Sequence, residues 1–133
     1  MDIAELFSVA GLVPQRSVPW RTPILEHLPG VYVVTDARLG IVYVGRTVRQ
    51  SLRERLGQFH RHRYGRSSPH RGGQDVKLLA GPLRVHWAPT PDPVRIESRM
   101  LEAFRARTGR LPLANKKRGD RALRLTEADQ PPA

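Results

Sequence analysis

The chain has 133 residues, 39% of them hydrophobic, and no cysteine, so one domain burying roughly two-thirds of its unfolded surface is expected. Disulfides, thiolate nucleophiles and cysteine-bound zinc are excluded, and a reducing compartment fits. The formal charge of +11 is concentrated: eight arginines stand against one acid over 46–73, and nine Lys or Arg against two acids over 99–125.

Arginine's planar fork matches phosphate oxygens, so a polyanion is the natural partner, with nucleic acid first. A solvated basic face and an anionic membrane surface are the competing readings. The second lacks a basic amphipathic helix. No apolar run approaches the ~20 residues of a membrane span. The acidic start "MDIAELFSVAGL" is unlike the basic opening of a signal peptide. A cytoplasmic protein with no membrane partner is therefore expected.

In chain order, Ile3, Leu6, Phe7 and Val9 predict a short amphipathic helix over 2–10 ending at Gly11. Pro14, Pro19, Pro23 and Pro29 then punctuate a loop, and residues 1–28 read as an arm packing on the domain. Strands at 31–35 and 41–45 flank the turn "DARLG". Ser51 and Glu54 form a capping-box pattern opening a helix over 51–61, with Leu52, Leu56 and Phe59 on its apolar side.

Residues 64–75 are rich in Gly, Ser and Arg and predict a loop, and "VKLLAG" suits helix or strand equally. "LRVHWA" alternates and predicts a third strand. Asp92 as N-cap and Pro93 at the first helical position start a helix reaching Gly109, with Ile96, Met100, Leu101 and Phe104 as its buried stripe. Residues 118–133 read as a basic extension and a frayed tail.

Two of only three tyrosines lie in the hairpin. With Thr35 and Gly40 closing the turn, Tyr32 falls directly opposite Tyr43 on one sheet face; a loop one residue longer would separate the phenols. Cross-strand packing and chemistry both remain open for this pair. Glu97 lies too deep in its helix for capping and borders the buried stripe, so it needs a partner: an arginine such as Arg53, Arg55 or Arg99, or a divalent cation. Arg55, three residues after Leu52 and four before Phe59, points along the apolar side of its helix, as a salt-bridge former or a phosphate ligand. His60 and His62 cannot share a helix face, which argues against a zinc site with His70.

"GVY" at 30–32, "YVG" at 43–45, Arg55 in "LRERL", Glu97 in "RIESRML" and Asn115 in "PLAN" follow the order and approximate spacing of the GIY-YIG nuclease domain. Residues 29–117 resemble that family, with Val in place of Ile in both tripeptides. The resemblance implies an α+β fold, a small three-stranded antiparallel sheet flanked by helices. It also implies a divalent-metal-dependent endonuclease that hydrolyses DNA phosphodiesters to 5′-phosphate and 3′-hydroxyl ends, using one Mg²⁺ or Mn²⁺ ion.

Carried over by resemblance, Tyr32 and Tyr43 border the scissile phosphate, Arg55 contacts it, Glu97 holds the metal and Asn115 orients the site. Tyr43 is the favoured base. Many relatives place His or Tyr where Phe59 stands, so His60, His62 or Tyr64 would take that duty. Many have Lys where Arg46 stands; Arg46 keeps the charge toward substrate but cannot shuttle a proton. A non-cleaving nucleic-acid-binding module is the alternative, and a basic scaffold protein a third class. The chain acts as monomer or homodimer, and a protein partner would supply targeting.

Overall fold

The computed structural model describes residues 1–61 and 82–115, except for the side chains of 59–61. The expected loop at 64–75, the ambiguous "VKLLAG", His62, Tyr64, His70 and the extension from 118 lie outside the described residues. The architecture is α+β. Among the described residues, helices α1 (Ile3–Val9), α2 (Leu52–Arg61) and α3 (Pro93–Thr108) flank strands β1 (Val18–Pro19), β2 (Gly30–Asp36), β3 (Gly40–Arg46) and β4 (Leu83–Pro89). A 3₁₀ turn covers Leu113–Asn115.

Among the described residues the sheet has four strands, not the expected three, in the order β1-β4-β2-β3, and each of these pairings is antiparallel. The extra strand comes from the proline-punctuated arm, where Val18 pairs with Val85 and Pro19 with Arg84. A two-residue strand is too short to show any periodicity, and an edge tolerates proline because its missing N–H would face outward. The arm is tied down further by Gln15 N–H donating to Trp87 O at 2.7 Å and Trp20 N–H to Leu83 O at 2.9 Å.

β2 lies between two strands and is buried along nearly its whole length, which explains why "VYVV" reads as a continuous apolar run rather than an alternation. Its two faces support separate cores. Tyr32 and Val34 join Trp20, Ile24, Val85, and Leu52 and Leu56 of α2. Val31 and Val33 pack with Leu6 and Phe7 of α1 and Ile96, Met100 and Phe104 of α3. Val9 does not join this stripe; it is exposed at the solvent side of α1, where a helix this short needs only two buried residues to dock.

Helix starts agree with their local chemistry, with one correction. Ser51 Oγ accepts from Glu54 N–H at 3.1 Å, and Glu54 Oε1 accepts from Ser51 N–H at 3.2 Å. Asp2 and Glu5 make a second box of this kind at α1. Asp92 makes no side-chain cap; its carboxylate turns to Arg95 Nε, 3.1 Å away, leaving Pro93 to set the entry of α3 through its fixed φ.

Candidate active site

The two tyrosines share a face, but not by the register expected. Asp36 pairs with Gly40 and Thr35 with Ile41, whereas Val34 pairs with Tyr43 and Tyr32 with Gly45. Continued without interruption, the turn-proximal register would place Tyr32 and Tyr43 on opposite faces. A β-bulge between Val34 and Thr35 leaves Val42 unpaired, and this one extra residue returns Tyr43 to the side of Tyr32. Val42 and Tyr43, adjacent in sequence, consequently enter the same core. The phenols are diagonal neighbours, ring centroids 6.1 Å apart and planes tilted by 42°.

Diagonal stacking requires the glycine of "YVG". A Cβ at Gly45 would lie 2.7 Å from Tyr43 Cε2 and closer still to the Tyr32 ring. The first tripeptide's Gly30 has a different reason: a Cβ there would strike the Ala88 carbonyl and Leu52 Cδ1. Thr47, which sequence reasoning did not single out, is fully buried. Its Oγ1 accepts from Gly30 N–H at 3.1 Å and its own N–H donates to Gly30 O at 3.0 Å. Nothing local in "GRTVR" signals that closure, because its partner lies 17 residues earlier.

Arg55 is buried, and its Nε donates to the Tyr32 hydroxyl at 3.3 Å. α2 points it at the sheet because Leu52 and Leu56, three before and one after, occupy the same apolar side. Glu97 arrives from the opposite layer on α3, between the buried Ile96 and Met100. Its Oε1 stands 3.3 Å from Arg46 Nε, and Arg46 pairs with Val31, on the α3 side of the sheet. Arg46, which is not among the expected partners Arg53, Arg55 and Arg99, forms this ion pair. Helix α2 and helix α3 bring their charges to the same end of β2 and β3, where Gly45 contributes no side chain.

The electrostatics of Tyr32 are governed first by its burial. Burial pushes its pKa far above the ordinary tyrosine value; neighbouring Tyr43 adds to that, Arg55 opposes it by charge and hydrogen bond, and the Glu97 charge raises it further. Tyr32 therefore keeps its proton and suits hydrogen-bond donation rather than proton abstraction.

Asn115 is engaged with the backbone of the edge strand: its Oδ1 accepts from Val44 N–H at 2.8 Å and its Nδ2 donates to Val44 O at 2.9 Å. It holds β3 between Tyr43 and Gly45, a positioning role. His60 belongs to the last turn of α2, and its side chain lies outside the described residues. A cavity of about 530 Å³ opens at the other end of β3, lined by Leu39, Ile41, Phe104, Arg110 and Leu113 among others, and includes none of these site residues.

Among the described residues no three His, Cys, Asp or Glu side chains gather as a metal site. Glu97 offers one buried carboxylate, a donor set that suits a single Mg²⁺ keeping most of its waters rather than a closed protein cage. No family model matches the chain, and neither a curated protein nor a solved structure matches it.

Proposed function

We propose that the protein is a divalent-metal-dependent endonuclease of the GIY-YIG type, hydrolysing DNA phosphodiesters at the Tyr32, Tyr43, Arg55 and Glu97 cluster. The observation that carries this reading is Arg55 Nε donating to the Tyr32 hydroxyl at 3.3 Å within the core, beside the neighbouring Tyr43 ring; Glu97 stands on the α3 side of the sheet, paired with Arg46 at the same strand end. Burying a guanidinium beside paired phenols costs several kcal/mol in order of magnitude unless it is compensated, and that placement supports a role for Arg55 beyond packing.

The chemistry follows from the charges. A phosphodiester is anionic and repels an incoming hydroxide, so positive charge must meet its non-bridging oxygens as the pentavalent state forms. Arg55 supplies a fixed guanidinium, and Tyr32, held protonated, donates a hydrogen bond to the same oxygens. Tyr43, acting as its phenolate, takes the proton from the attacking water. The bond to the 3′ oxygen breaks and a water molecule protonates the departing oxygen, leaving 5′-phosphate and 3′-hydroxyl ends. A divalent ion held by Glu97 would add Lewis acidity at the phosphate and lower the pKa of bound water. All four side chains are nearly covered, so substrate entry requires displacement of the atoms that cover them.

Purified protein incubated with supercoiled plasmid and single-stranded oligonucleotides in Mg²⁺ or Mn²⁺ is expected to nick. The nicks should reseal with DNA ligase, which requires 5′-phosphate and 3′-hydroxyl ends. Glu97→Gln and Arg55→Ala, with unchanged circular dichroism, should each lower the rate by about 10² or more. Cutting that survives both substitutions would refute the assignment. DNA retention without any cutting would favour the non-cleaving module.

A further inference from the structure

We infer that Arg46 is the resident counter-ion of Glu97, and that a divalent cation and this guanidinium exchange at the carboxylate, freeing Arg46 for the substrate phosphate. The inference rests on the nuclease reading and deepens it by assigning a charge exchange to the same site.

The Glu97 side chain is only 6% exposed, and a carboxylate so covered needs an opposite charge beside it. Arg46 provides one, but poorly. Its Nε is at ion-pair distance, 3.3 Å from Glu97 Oε1, yet this N–H is buried and makes no hydrogen bond, since distance is met and alignment is not. Arg46 thus neutralises the acid without completing the bond that would lock it there. Its side chain stays 23% exposed, so the guanidinium keeps a route away from the carboxylate.

Arginine does not lose its proton under any ordinary condition. A divalent cation reaching Glu97 would therefore face a like charge that cannot be titrated away, and displacement is the only relief. Arg46 follows Gly45 directly and pairs with Val31 next to Tyr32, so a displaced guanidinium stays at the strand end that carries Tyr32, although its resident position is on the α3 side of the sheet. Each phosphodiester brings one negative charge, and the released arginine balances it. Cation and substrate then favour one another's binding, because each offsets the charge the other leaves.

The test uses free Mn²⁺ measured by electron paramagnetic resonance at about pH 8, without DNA, on wild type, Arg46→Met and Glu97→Gln. Exchange predicts that Arg46→Met binds Mn²⁺ about tenfold more tightly than wild type, that its unfolding midpoint rises more on Mn²⁺ addition, and that Glu97→Gln loses binding. Arg46→Gln, which keeps a donor for Glu97, should shift affinity in the same direction if the Met variant folds poorly. Equal or weaker binding in both Arg46 variants, with binding still lost in Glu97→Gln, overturns exchange and leaves the nuclease reading standing. Binding undiminished in Glu97→Gln, or absent from every variant and wild type, overturns Glu97 as the metal holder and exchange with it.

Discussion

A methyl group at Gly45 would fall among the Tyr32 hydroxyl, its ring carbon Cζ and Tyr43 Cε2. Ring tips usually yield to such an intrusion, but these two residues are at most 1% exposed and have nowhere to go. Gly45→Ala should therefore destabilise the protein by about 1–3 kcal/mol through overpacking, read as a lower urea midpoint at unchanged slope. It should also break the diagonal stack, detectable as altered tyrosine fluorescence. A neutral Gly45→Ala would mean the phenols are held less tightly than their contacts imply. The sequence shows the glycine but not its reason, since φ at this position is unremarkable and the obstacle belongs to residue 32.

At the level of elements, the β2–β3 hairpin depends on Asp36. Its Oδ1 accepts from Arg38 N–H at 2.7 Å and Leu39 N–H at 3.0 Å. Asp36 is covered by its own turn more than by the mass of the protein, so those two donors outweigh burial and hold its pKa below the ordinary 3.8. Above that value the carboxylate is charged folded or unfolded, and the turn has its full benefit. As pH falls, the unfolded chain takes the proton first, and stability drops until the folded pKa is passed.

His86 on β4 behaves in the same sense at higher pH. Burial, then the Arg84 charge, lower its pKa below 6.5, so acidification beneath that value also favours the unfolded chain. Urea midpoints followed from about pH 8 to about pH 3 should decline twice. Asp36→Asn, which keeps an acceptor without titrating, should flatten the lower decline alone. If that variant keeps the wild-type acid limb, the turn is not its source. The acidic turn was legible in "DARLG"; the bulge at Val42, two residues further on, was not, because it answers to packing in the core shared with α2.

Across the whole molecule, Asn115 joins chain segments 71 residues apart. Among the described residues β3 is an edge strand, and Asn115 satisfies both Val44 backbone groups where a neighbouring strand would otherwise do so. Asn115→Ala leaves a buried donor and a buried acceptor unmatched, a loss of about 2–4 kcal/mol. Urea unfolding should show it, while a change under about 0.5 kcal/mol would mean that water substitutes for the amide. The same variant should impair cutting more than its stability loss explains, because Tyr43 and Gly45 flank Val44.

The sequence by itself determined the α+β class, the capped start of α2, the proline entry of α3 and the Ile96, Met100 and Phe104 stripe, since each signal is complete within a few turns of chain. It also marked Tyr32, Tyr43, Arg55 and Glu97 as candidates. Only the tertiary structure decided that β1 adds a fourth strand, that Val42 bulges so the phenols share a face, that Glu97 meets Arg46, and that Asn115 closes the edge at Val44. Those four outcomes depend on partners far apart in the chain, and the free energy choosing them lies in burial and hydrogen bonding between elements, which no local pattern encodes.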